Sequence, residues 1–431
     1  MDKVLFPGSV RGQVDIPASK SQTIHALLIA LFAKGVSTIH NPLICSDTQA
    51  CLDFCAKLGA HIEYADDTIT IDSSALSPKG SLEVNCRNSG TTLFFATALG
   101  ATLDTYLKFT GDESLQQRPA RALLTSLADL GAKTDTNVEC APYGIHGPLF
   151  GGHTSIRCVT GQYLTALLLA APLARTDTTI DVHLLKEKTA VRMTEIWMEG
   201  QNIHFYRDND MRRYTVKGGQ GYRPFERDIN GDFSLAAFFF CAAAITAGTV
   251  TVTGIDADSS QADRKILNIL SDMGCSVSIQ RDSVTLTGPS RLKAMDIDLG
   301  DTPDLLPALA VTSCFASGPV TLSNIGQGIV KGTRERTSSI ADGIRTLGGQ
   351  VRVNHDSMVV FPTDSFAGDV RVDSFGDPRT AMAMAVASLR CRGSLTIRDC
   401  TCVDETFPGF FRRFSGINTA GEQNVQDSFN T

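Results

Sequence analysis

One pattern returns about every 70 residues along this chain and sets what it can fold into. A polar loop leads into an apolar stretch rich in small residues, a Gly or polar turn follows, and a β-branched run closes the unit. Copies stand at 20–41, 88–109, 160–182, 231–252, 301–322 and 377–397. Most copies are followed by an amphipathic stretch that ends in Leu58-Gly59, Leu130-Gly131, Met273-Gly274 or Leu347-Gly348. Alternating residues come next, as in 61–71, 277–286 and 351–361. The spacing predicts a helix closed by a left-handed glycine and then a strand pair, so each unit reads as βαβαββ. The third copy, 197–205, keeps the shape and loses the leucine.

Such a unit cannot bury its apolar helix alone, so neighbouring copies must share a core. Six copies in 431 residues divide into two domains of three, an α/β (α+β) chain. The expected domains are 18–228 and 1–17 with 229–431, joined by a two-stranded hinge near 15–19 and 227–232. The polar stretch 415–431 is expected to be a flexible tail.

Composition narrows the function. Apolar residues make up 42%, enough for two cores, and the formal net charge is −7. An acidic balance argues against a general nucleic-acid or membrane-surface binder, so any anion must be met by a local cluster of cations. The twelve cysteines are scattered through apolar runs without zinc-ligand spacing, and they read as reduced core residues of a cytoplasmic protein. No basic segment with a following apolar stretch opens the chain, so no signal peptide is expected. The run 235–247 is too short to span a bilayer and reads as a buried helix.

The distinctive polar residues gather where the repeated helices begin: Lys20, Ser21, Thr160, Gln162, Asp304 and Arg379. Free backbone N–H groups and the positive helix end favour an anion there. Arg118 and the run Lys331-Gly332-Thr333-Arg334-Glu335-Arg336 stand in loops that enter second helices. Several planar guanidiniums with a lysine suit a ligand carrying more than one anionic group. Plainer roles compete for each residue: a serine or aspartate N-cap, or an arginine on a solvated loop.

Eight motifs then carry a resemblance over nearly the whole chain. Pro17-Ala18-Ser19-Lys20-Ser21, Asn88-Ser89-Gly90-Thr91, Gln117-Arg118-Pro119 and Gln162-Tyr163-Leu164-Thr165 resemble motifs of the enolpyruvyl transferase family, in its EPSP synthase branch. So do Pro303-Asp304, Lys331 to Arg336, Asp377-Pro378-Arg379-Thr380 and Thr406-Phe407-Pro408, in the same order. The resemblance implies a two-domain inside-out barrel of six repeats with its active site in the cleft between domains. It implies transfer of the enolpyruvyl group of phosphoenolpyruvate to the 5-hydroxyl of shikimate 3-phosphate, with release of phosphate and no metal or organic cofactor. A monomer with small-molecule substrates, and no nucleic-acid or membrane partner, is expected. Lys20, Asp304 and Glu335 would be catalytic. Lys20, Ser21, His25, Thr160, Gly161, Gln162, Asp304 and Lys331 would face shikimate 3-phosphate. Lys20, Gly90, Arg118, Gln162, Arg336 and Arg379 would face phosphoenolpyruvate.

This chain departs from the family's motifs at identifiable points. His25 and Phe94 each stand where the family has arginine, and Thr160-Gly161 keeps one of two serine hydroxyls. Lys186-Glu187-Lys188-Thr189 replaces a Ser-Lys-Pro-Tyr motif, and Glu405 replaces a lysine. Gly332 takes the place of a glutamate in a segment one residue longer, and Glu335 is the candidate to supply that carboxylate. These losses keep two other readings in play: an enolpyruvyl transferase with a different hydroxyl acceptor, or a non-catalytic anion-binding paralogue.

Overall fold

The apolar stretches that open the repeats fold as helices buried on nearly every side, which is what a stretch without a polar face requires. The structure, a computed structural model, describes residues 1–78, 80–135, 137–325 and 331–419, with the side chains of 331–335 outside that description. Two compact units form: Ala18–Ile229, and Met1–Pro17 together with the chain from Asn230 onward.

In the unit Ala18–Ile229 the helices Lys20–Leu31, Gly90–Gly100 and Gly161–Ala170 make the core, and Gly90–Gly100 packs on both others. In the other unit Phe233–Thr246, Leu306–Ser313 and Pro378–Ser388 pack on one another. Phe233–Thr246 is the buried helix expected from the apolar run, and Phe238, Phe239 and Phe240 are fully enclosed in it. Among the described residues no helix is long and apolar enough to cross a membrane.

Five of the six sheets among the described residues repeat one order: two parallel strands, then an antiparallel pair. Ser81–Asn85 runs parallel to Tyr106–Thr110, which pairs antiparallel with Tyr143–His146. Strands distant in sequence complete several sheets. Glu226–Asp228 lies parallel to Val36–His40, and Arg11–Asp15 lies parallel to Thr249–Thr253. The sheet of the last repeat, Val370–Asp373 beside Leu395–Arg398, is finished by Lys3–Leu5 from the start of the chain.

The glycines expected to close the second helices do so in the left-handed region: Gly59 at φ 99°, Gly131 at 101°, Gly274 at 104° and Gly348 at 84°. In the irregular third copy the same place is taken by Asn202 at φ 56°, and Ile203 N–H then reaches back to the Met198 carbonyl at 2.9 Å. The first part of the stretch expected to be a tail is ordered and packed. Helix Phe410–Ile417 packs Phe410 and Phe414 against Phe239, Ile417 is buried, and Thr419 N–H bonds Ser9 O. The remainder, 420–431, lies outside the described residues. Every cysteine is a free thiol, and all but half-buried Cys140 are buried.

Candidate active site

Each unit gathers one set of polar side chains at the starts of its buried helices. In Ala18–Ile229 the first is Lys20, at the opening of Lys20–Leu31. Ser19 is the N-cap there, but its side chain makes no capping bond, and no acid stands in the first turn. The helix start is therefore left with its positive end uncompensated from within. Lys20 Nζ lies 2.7 Å from Asp47 Oδ2, in the first turn of Ser46–Lys57. Thr92 of the second buried helix donates to the Asp47 carbonyl at 3.2 Å, and Gln162 Nε2 of the third donates to Thr91 Oγ1 at 3.1 Å. Three helix starts are thus tied together by side chains. Arg118 belongs to the same group: its guanidinium crosses the helix start at Gly90, where a Cβ would displace it.

Thr160, the N-cap of Gly161–Ala170, accepts from Gln162 N–H at 3.3 Å. Its own hydroxyl donates to Glu187 Oε2 at 2.8 Å, and Gly161 N–H donates to the same oxygen at 2.8 Å. A carboxylate of the chain itself sits on the donors that the resemblance assigned to a substrate anion.

His25, expected to contact a phosphate, is buried and hydrogen-bonded within the unit. Its side chain is turned inward, with Nδ1 2.7 Å from the Ser21 carbonyl and Nε2 3.0 Å from Thr194 Oγ1. A carbonyl only accepts, so Nδ1 carries the proton and the Thr194 hydroxyl donates to Nε2. Phe95 meets the ring edge-on at 5.1 Å and Trp197 stacks on it at 6.5 Å. Burial lowers the imidazole pKa to about 4, against the pull of the Ser21 carbonyl, and the ring is neutral at pH 7. Phe94 likewise belongs to the core, edge-on to Tyr163 at 5.1 Å.

In the other unit Asp304 is the centre. It is the middle residue of the turn Pro303–Leu305 that leads into Leu306–Ser313. Arg336 Nη1 donates to its Oδ1 at 2.8 Å and Arg379 Nη2 to its Oδ2 at 2.7 Å. Arg379 also donates to Ser234 Oγ at 3.0 Å, and Arg336 Nε lies 3.3 Å from Asp377 Oδ2. Burial would lower the Arg336 pKa, but Asp377 and Asp304 hold it above the usual value. Arg379 keeps its Nε buried and without a described hydrogen-bond partner, a donor suited to an arriving anion. Beside this cluster, Asp263 has an Oδ1 shut off from solvent and from described partners. Burial first, then the charges of Asp304 and Asp232, push its pKa well above the usual carboxylate range.

Lys331 and Glu335 contribute backbone to Lys331–Thr346, while their side chains lie outside the described residues. Glu405 is exposed at the end of the turn Cys400–Glu405. Sequence reasoning did not single out Asp47, Asp263, Ser234, or Asp377 as a charge partner. Asp47 and Asp377 carried a signal, an acid at a helix start beside a cation's helix; Asp263 carried none.

Known proteins resemble this chain over nearly its whole length. A model of the EPSP synthase family, 3-phosphoshikimate 1-carboxyvinyltransferase, matches residues 6–414. The 3-phosphoshikimate 1-carboxyvinyltransferase of Acetivibrio thermocellus is 37% identical over 402 residues, 93% of this chain and 94% of that protein. The protein of that name from Methanocorpusculum labreanum is 36% identical over 417 residues, 96% and 97% of the two chains. Among solved structures, EPSP synthase from Acinetobacter baumannii has the same fold, with a TM-score of 0.83 at 22% identity over 97% of this chain and 98% of that one.

Proposed function

The chain belongs to the EPSP synthase family, and we propose that Lys20, Asp304 and the guanidiniums on Asp304 carry out that family's reaction here. The enolpyruvyl group of phosphoenolpyruvate goes to the 5-hydroxyl of shikimate 3-phosphate, and inorganic phosphate leaves. The observation that carries the assignment is Asp304, each of whose oxygens accepts from a different arginine. Arg336 and Arg379 are also the natural holders of an anionic enol phosphate. A substrate that draws them to itself frees an Asp304 oxygen to accept the hydroxyl proton.

As the hydroxyl oxygen bonds to C2, the enol π electrons take a proton at the methylene carbon. The Lys20 ammonium, held by Asp47, is the acid available in its unit. Collapse removes a proton from that methyl carbon, restores the double bond and breaks the C2–O bond to phosphate, which departs protonated. Ser21, Thr160, Gly161, Gln162 and Lys331 would hold shikimate 3-phosphate, and Gly90, Arg118, Gln162, Arg336 and Arg379 would hold phosphoenolpyruvate. Glu335 keeps its proposed catalytic part, and His25 has none. We further place the chain in the cytoplasm, acting as a monomer; its buried free thiols suit a reducing compartment.

The test is phosphate release from phosphoenolpyruvate by purified protein, with and without shikimate 3-phosphate. Release that depends on shikimate 3-phosphate, with a matching enolpyruvyl product, is expected. Lys20→Ala and Asp304→Asn should each lower turnover by about 10²- to 10⁴-fold with the fold retained. No release from the wild type, or wild-type rates from either variant, overturns the assignment.

A further inference from the structure

Glu187 occupies a place that a substrate anion would need. Its Oε2 takes both the Thr160 hydroxyl and the Gly161 N–H, each at 2.8 Å. One hydroxyl and one backbone N–H at the positive end of a buried helix are a donor pair for a phosphate oxygen. The backbone carrying the carboxylate is pressed against that helix start: a Cβ at Gly161 would lie 3.0 Å from the Glu187 carbonyl and 3.2 Å from that of Lys186. Glu187 itself stands at φ 56°, ψ 48°, a left-handed conformation that side chains seldom adopt, as the residue before helix Lys188–Gly200. Lys186 and Lys188 flank it in sequence, so the segment that brings the competing carboxylate also brings two cations.

We infer that Glu187 is an internal stand-in for the acceptor's phosphate, displaced when the acceptor binds, and that it sets the acceptor affinity of this enzyme. The inference rests on the reading of Thr160 and Gly161 as acceptor contacts. Binding exchanges one anion for another on the same two donors, so part of the phosphate's interaction is spent on expelling the carboxylate. Glu187 is thereby a specificity residue: a weak or singly charged acceptor would fail to displace it, while a phosphate dianion would succeed.

The experiment compares wild type with Glu187→Gln, which keeps the side chain's size and removes its charge, and with Glu63→Gln, an exposed strand carboxylate elsewhere in the same unit, as the control for overall charge. Binding of inorganic phosphate and of shikimate 3-phosphate is measured by calorimetry, alongside steady-state kinetics. Glu187→Gln should bind inorganic phosphate and shikimate 3-phosphate about tenfold more tightly, the size expected from one charge-assisted contact. The Michaelis constant for shikimate 3-phosphate should fall in parallel, that for phosphoenolpyruvate should stay within about twofold, and Glu63→Gln should change none of them. Unchanged or weaker phosphate binding in Glu187→Gln, or an equal gain in Glu63→Gln, overturns the inference. Tighter inorganic phosphate without turnover of shikimate 3-phosphate in either protein supports the role of Glu187 and rejects the proposed acceptor instead.

Discussion

At the scale of single residues, His25 shows how surroundings override a motif position. Where the resembled family has an arginine, this chain has an imidazole whose nitrogens are taken by Ser21 O and Thr194 Oγ1. Its pKa of about 4, lowered by burial, ties it to stability. An unfolded histidine titrates near 6.5, so between 6.5 and 4 the unfolded chain binds more protons than the folded one and stability rises with pH. The contribution is complete above about pH 6.5 and is lost as pH falls toward 4, a total of about 3 kcal/mol. Urea midpoints of wild type and His25→Gln at pH 7 and pH 5 isolate this term. The wild type's advantage should shrink by about 2 kcal/mol at pH 5; an unchanged difference would mean that the ring is not held neutral. The sequence showed a histidine in the second turn of a helix but not its direction, because Thr194 lies 169 positions away. Lys20, Asp304 and Arg379 were legible, since a charge at the opening of a buried helix has few places to go. Glu187 was visible only as a substitution, and its bonds to Thr160 and Gly161 depend on how two repeat elements meet.

At the scale of elements, the second helices were legible because their ends are chemically marked. Gly348 ends its helix at φ 84°, and a Cβ there would meet nothing within 4 Å. Gly348→Ala therefore tests backbone conformation alone and should cost about 1 kcal/mol in a urea melt. In the third copy Asn202 holds the equivalent left-handed place at φ 56°. Asparagine tolerates that region, so Asn202→Gly should change stability by less than about 0.5 kcal/mol. A free Gly348→Ala, or a costly Asn202→Gly, would show that packing rather than backbone geometry closes these helices. The strands that complete a sheet from afar were harder to place. Glu226–Asp228 and Lys3–Leu5 are short, and their partners follow from tertiary pairing and not from local pattern. The C-terminal helix was misjudged for a related reason: Ile417 looks polar by its neighbours in sequence, yet it is buried on the face that carries Phe410 and Phe414.

For the whole molecule, the strand pairings make the two units unequal as chains. Ala18–Ile229 is continuous and contains every strand of its three sheets, including Glu226–Asp228. The other unit is discontinuous, and 1–17 supplies it with two strands. Arg11–Asp15 pairs over its whole length with Thr249–Thr253, and Lys3–Leu5 pairs with Leu395–Arg398. Without 1–17, one sheet loses an outer strand and another is reduced to two strands, a size that is marginal by itself. Val14 and Ile16, both buried in that unit's core, would also be missing. A fragment 18–229 should therefore unfold cooperatively in urea, with circular dichroism and fluorescence of its only tryptophan, Trp197, changing together. A fragment 230–431 should show a broad transition or aggregate, and adding a peptide of residues 1–17 should restore a cooperative one. If 230–431 folds as sharply alone as with the peptide, the N-terminal strands are accessories to that core. If 18–229 fails to fold, its three sheets depend on the rest of the chain for more than strand pairing.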